Sequence, residues 1–231
     1  MRVHPRPTAP TPPFHAPSAR RLREGLGMTP GHVAYGLRAQ YGLSIAPETV
    51  VAWERGTARP DARELTALAG VLWCSPEDLL AAVTTLREYR VGRGLSPDDL
   101  ARRVGLDPRS YARMEETGQW SGNDRQTSAL ARALGLGPRE LVSATGRDAE
   151  LAELLRDAVT TRWQAHVRPA AKLVPLGRDR LEDVLQRLHA GYQARTAATY
   201  GWSDQDGGDG EAAGREYLDR VLEHFWALAG E

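Results

Sequence analysis

Residues 49–60 read TVVAWERGTARP. A β-branched pair and the large apolar Trp53 lead into Glu54, Arg55 and Gly56, and a turn carrying Arg59 closes at Pro60. Locally this is a short helix with an inward apolar side. A glycine able to take left-handed backbone stops it, and an arginine-bearing turn follows. The stretches on either side, ARRLREGLGMTPGHVAYGL (19–37) and DARELTALAGVLWCSPEDLL (61–80), keep a helical period. Leu22, Val33, Leu37, Val50, Trp53, Leu65, Leu68, Leu72 and Leu79 are the apolar positions of five short helices.

Taken together, these residues resemble the lambda-repressor-like (XRE) helix-turn-helix family, with its recognition helix, WERG and loop. The resemblance implies an all-α unit whose third helix enters the major groove of DNA and meets base edges with its N-terminal face.

A diverged internal repeat extends the pattern. Ala67-Leu68-Ala69 recurs as Ala129-Leu130-Ala131, and Ser75-Pro76 through Leu80 recurs as Gly137-Pro138 through Val142. Further upstream, Leu22-Arg23 pairs with Leu86-Arg87, and Thr29-Pro30 with Ser96-Pro97. The second copy, LREYRVGRGLSPDDLARRVGLDPRSYARMEETG, again resembles the helix-turn-helix family. The first copy is longer by six residues between Leu37 and Trp53, around RAQYGLSIA. Nothing obvious breaks a helix between the cap at Ser75 and Gly92, so one continuous helix is expected to join the units. The expected fold is therefore all-α: two tandem five-helix units sharing a linking helix, plus a C-terminal helical region. Its segments are a disordered proline-rich arm (1–17), unit one (18–82), unit two (83–146) and a C-terminal module (147–231).

In unit two the outward positions of the third helix are Pro108, Arg109 and Arg113. The two arginines lie one turn apart, and arginine reads guanine O6 and N7 bidentately. Ser110 is a phosphate donor. In unit one the same positions hold Pro47, Glu48 and Ala52; of these, Glu48, accepting from a cytosine N4, is the base-reading group, with Thr49 beside it. Arg55, Thr57 and Arg59 in the following loop suit the DNA backbone, whose contacts position without specifying. The recognition helices are thus expected at 47–55 and 108–116. Pro30 and Pro97 stand where the family often has a phosphate-binding glutamine, leaving backbone N–H groups at those helix starts.

Formal net charge is zero, from 30 basic and 30 acidic residues, with Lys172 the one lysine. Basic residues are in excess in 83–146, and 147–231 is acidic. The single cysteine, Cys74, allows no internal disulfide and reads as a core residue. No apolar run reaches the roughly 20 residues of a membrane span, and no signal peptide is visible, so a cytoplasmic, nucleoid-associated bacterial protein is expected. Six scattered histidines show no zinc spacing, and no phosphate loop or nucleophile motif appears; no cofactor, no metal and no enzyme activity are expected. Arg2 and Arg6 form a conceivable minor-groove arm.

Beyond Gly146 three amphipathic helices follow, with apolar faces at Leu151–Trp163, Leu181–Tyr192 and Tyr217–Leu228. An acidic glycine-rich loop, 203–214, precedes the last. Three helices are marginal as an independent core, so homodimerisation through 147–231 is expected, with Tyr217, Val221, Phe225 and Leu228 as the contact; the competing outcome is docking in cis onto unit one or two. The expected function is a sequence-specific DNA-binding transcriptional regulator, its partner double-stranded DNA. The alternative is an antitoxin-like or adaptor module that uses degenerate helix-turn-helix folds to bind protein. A small-molecule pocket among Trp163, Tyr192, Trp202 and Trp226 would add to the first reading.

Overall fold

The computed structural model describes residues 11–198 and 208–231. Arg2, Arg6, Trp202 and residues 203–207 of the acidic loop lie outside them. Among the described residues the protein is all-helical, with no strands. The chain divides into two compact parts, residues 1–115 and 116–231, each described by itself.

The first part opens with α1 (Ala16–Gly25), α2 (Pro30–Tyr41), α3 (Pro47–Glu54), α4 (Ala62–Val71) and a 3₁₀ turn, Pro76–Leu79. The starts are locally encoded. Thr29 and Asp61 each accept from the backbone N–H three residues on, and His32 and Glu64 reach back to complete capping boxes. Val33, Leu37, Val50, Trp53, Leu65 and Leu68 close one core. Cys74 packs at its edge, and burial pushes its thiol up to about 11, as a core residue and not a reactive thiolate requires. Residues 11–15, expected as part of a disordered arm, are instead built in: Pro12 is buried, the His15 N–H donates to Leu79 O, and the Ala81 N–H donates to Pro13 O.

The continuous linking helix does not form. Leu80 is extended (φ −98°, ψ 148°) and bridges Phe14. A new helix, α5 (Leu86–Gly92), then begins at a capping box in which Thr85 accepts from the Glu88 N–H and Glu88 accepts from the Thr85 N–H. The Thr-x-x-Glu signal was present in the sequence, and it starts a helix here because α5 turns back onto the 3₁₀ turn. There Val91 joins the first core, and Arg93 pairs with Glu77 at 3.1 Å. Then come α6 (Pro97–Val104) and α7 (Pro108–Thr117).

The helices of 86–115 follow those of 16–54 in order. Thr29, Val33, Ala34 and Leu37 correspond to Ser96, Leu100, Ala101 and Val104, which keeps Leu100 and Val104 buried. The extra length of the first copy is where the sequence placed it. α2 runs 12 residues against 8 for α6, and the turn after it is longer. The same register pairs Arg23 with Arg90, correcting the alignment of Leu22-Arg23 with Leu86-Arg87 by three residues.

The second part contains the end of α7, α8 (Asp124–Leu134), α9 (Pro138–Ala144) and five further helices: α10 (Asp148–Thr160), α11 (Trp163–Leu173), α12 (Arg178–Ala198), α13 (Gly208–Asp219) and α14 (Val221–Ala229). Among the described residues, five helices, not three, make up the C-terminal region: Trp163 starts its own helix, and Arg220 divides the last stripe. Residues 208–214 of the expected loop are helical. These helices pack around one core containing Leu151, Leu155, Leu181, Leu185, Leu188 and Phe225. Tyr217, Val221 and Phe225, expected to dock on a second copy, are buried in it, and Leu228 packs against it. Trp226 is buried there too, with Trp163 and Tyr192 against the same core, so these aromatics are structural.

Candidate nucleic-acid interface

The third helix of each copy is fixed by an arginine from the first. In the first copy Arg23 Nε and Nη2 donate to the two carboxylate oxygens of Glu54 at 2.6 and 2.8 Å, while Nη1 donates to Met28 O at 2.7 Å. In the second, Arg90 Nε and Nη2 donate to Glu115 at 2.5 and 3.0 Å, and Nη1 donates to Leu95 O at 2.8 Å. Each guanidinium thus ties the end of the third helix of its copy to the turn before the second, in the bidentate geometry that holds orientation best. The second clamp has one more bond: Tyr111, fully buried, donates its hydroxyl to Glu115 at 2.5 Å. Val50 stands at the corresponding place in α3. Burial opposes the Arg90 charge, but the Glu115 hydrogen bond and charge outweigh it and hold its pKa above the ordinary guanidinium value. Burial first, then the Glu115 charge, pushes the Tyr111 phenol above its ordinary range. The WERG glutamate, Glu54, was legible in the sequence as a helix-end charge; its partner Arg23, 31 positions away, was not, nor was the pairing of Arg90 with Glu115 across 25.

Against this frame of clamped helices the candidate residues fall into two sets. Arg109, Ser110 and Arg113 are all exposed on α7, with Arg109 and Arg113 one turn apart. Asp107 caps the helix, its carboxylate accepting the Arg109 and Ser110 N–H groups and, at 3.5 Å, the hydroxyl of the exposed Ser110. On α3, Glu48 is exposed in the first turn and Thr49 is half-buried. Arg55 and Arg59 are exposed in the turn after it. Thr57 is exposed as well, but its hydroxyl donates to Ala52 O at 3.1 Å, so it closes the helix and is committed as a donor within the fold.

The starts of the second helices offer less than the sequence promised. Thr29 accepts the His32 N–H, Ser96 accepts the Asp99 N–H, and the prolines beside them have no N–H. Sequence reasoning passed over Arg103, exposed in the last turn of α6, the helix preceding α7 in the motif; its position after Arg102 with Val104 inward was the available signal. It also passed over Trp120. That residue is buried in the loop after α7, donates its indole N–H to Thr127 Oγ1 at 2.8 Å, and lies so close to Gly122 that any Cβ there would meet its ring at 2.4 Å.

Residues 81–144 match the model of a family described as a helix-turn-helix domain. No curated protein and no solved structure matches the chain. The match supports a helix-turn-helix domain over residues 81–144, a kind of domain that suggests DNA binding and is not typically enzymatic. Among the described residues no helix is long and apolar enough to cross a membrane.

Proposed function

We propose that this protein is a sequence-specific DNA-binding transcriptional regulator of the XRE type, in which α7 reads base edges and the α3 copy with its loop holds the backbone. One observation carries the reading: two arginines stand one turn apart on the exposed side of a helix whose other side is locked by a buried arginine–glutamate–tyrosine cluster. A fixed helix sets where each arginine starts from, and the planar guanidinium fork loses less freedom per hydrogen bond than a flexible ammonium, which suits discrimination between bases. Arg55 and Arg59 suit phosphates, as does the Ser110 hydroxyl; Glu48 and Thr49 are the base-edge candidates of α3.

In this reading 18–82 and 83–146 are the two DNA-facing units, 147–231 is an accessory module, and the protein works in the bacterial cytoplasm at the nucleoid. A homodimer on a palindromic site is compatible with it, through surfaces other than Tyr217, Val221 and Phe225. Fluorescence anisotropy on genomic fragments is the test. Log affinity is expected to fall linearly with log salt, with a slope of about −0.9 per phosphate neutralised. Absence of binding at low salt overturns the proposal.

The second reading, a protein-binding module of antitoxin or adaptor type, is favoured by the first turn of α3, where Ala46, Pro47 and Glu48 present no cation. Pull-down of a defined protein partner, lost on Glu48→Lys, together with no DNA binding would establish it.

A further inference from the structure

The extra residues of the first copy do more than lengthen a helix. They wall one side of an open cleft of about 590 Å³ within residues 1–115. Tyr41 and Leu43 come from the extended α2 and its turn, Arg63 and Thr66 from α4, and Val91 and Leu95 from the start of the second copy. The volume falls in the range of about 300–1,000 Å³ typical of small-molecule sites. The Tyr41 wall is built in: its ring tip lies over Gly70, where an added Cβ would sit 1.8 Å from the hydroxyl oxygen. The second copy, whose α6 ends at Val104, has no counterpart to this wall.

The chemistry of the lining selects a ligand class. Tyr41, Leu43, Val91 and Leu95 offer apolar surface. Thr66 donates its hydroxyl to Ala62 O, Ser96 to Asp99, and Arg90 is engaged by Glu115 and Leu95 O. No acidic side chain lines the cleft, and Arg63, exposed at its rim, brings a positive charge. We propose that the cleft binds a small organic carboxylate, its apolar body between Tyr41 and Leu95 and its carboxylate on Arg63. Because the walls come from both helix-turn-helix copies, the bound molecule bridges them and acts as an effector. That effector role rests on the DNA-binding reading; the binding itself does not.

Saturation-transfer NMR and calorimetry on the full-length protein without DNA test it, with benzoate, octanoate and indole-3-acetate as probes and their primary amides as controls. At least one acid is expected to bind at millimolar concentration or below, and its amide about tenfold more weakly, the size of a charge-assisted hydrogen bond. Thr66→Trp, a change at an exposed position that fills the cleft, abolishes acid binding. Arg63→Gln, outside the core, keeps the fold and removes the preference for acid over amide. No binding by any of the three acids, equal binding of acids and amides, or acid binding undiminished in Thr66→Trp overturns the proposal. Since DNA takes no part in the measurement, failure of the effector site and failure of the DNA-binding reading are read separately.

Discussion

The two copies of the repeat share a frame and divide their cations in opposite ways. In the first, the exposed first turn of α3 carries Glu48 and no arginine, and the loop after it carries Arg55 and Arg59. In the second, α7 carries Arg109 and Arg113, and its loop through Gly122 has no cation; Trp120 turns inward there instead. A helix in the groove discriminates through what its side chains reach, whereas a loop on the rim contributes phosphate contacts. Under the proposed function, the same scaffold, with its arginines moved by a few positions, suits one copy to reading and the other to holding. The clamps differ in the same direction: Glu115 takes a third hydrogen bond from Tyr111, and Glu54 opposes Val50.

Breaking the clamps gives the largest effect. Glu115→Ala leaves the buried Arg90 uncompensated and strips Tyr111 of its acceptor, which costs about 3–5 kcal/mol. Glu54→Ala is expected to cost less, since Arg23 is the more exposed guanidinium (11% against 6%) and no tyrosine is orphaned. Urea unfolding of both variants checks the order; equal losses would show that Tyr111 adds nothing. Tyr111→Phe sharpens the point, with an expected loss of about 1.5–3 kcal/mol for a hydrogen bond to a charged group.

The next effect is on DNA. Arg109→Ala and Arg113→Ala are each expected to cost about 1–3 kcal/mol on a preferred site and little on random duplex. Arg59→Ala should weaken both alike and reduce the salt slope by about one. Anisotropy titrations on the two DNAs decide it; if all three variants behave alike, the division between reading and holding copies is wrong.

The smallest effect comes from the end of the fourth helix. In the second copy Gly135 takes left-handed backbone there (φ 68°), while the first copy places Trp73 at the same point with φ 55° and 87% of its surface exposed. A side chain in that region is strained by about 1–2 kcal/mol, and this one recovers almost nothing by burial. Trp73→Gly is therefore expected to stabilise the protein by about 0.5–1 kcal/mol, less than the strain because glycine is freer when unfolded. A raised melting temperature confirms it; a fall would mean that Trp73 makes contacts worth more than its strain.

Much of this protein was determined by sequence alone, because the devices involved are local. Helix starts rest on side chains that bond a backbone N–H three residues away, as at Thr29, Asp61 and Ser96, and stops rest on glycines that adopt left-handed backbone, as at Gly42 and Gly105. Periodic leucines then identify the inward faces, and the repeat with its longer first copy follows by counting. Where a decision needed a distant partner, the sequence was silent or misleading. Leu79 and Leu80 have the spacing of a continuing helix, yet Leu80 is drawn into extended backbone by its bridge to Phe14. Tyr217, Val221 and Phe225 have the pattern of a stripe free to dock elsewhere, yet α10–α12 supply the apolar surface that buries it within the same chain. The clamps show the reason most plainly. Nothing in the neighbourhood of Arg90 names Glu115: an ion pair closed across 25 residues depends on where α5 and α7 come to rest, and only tertiary packing settles that.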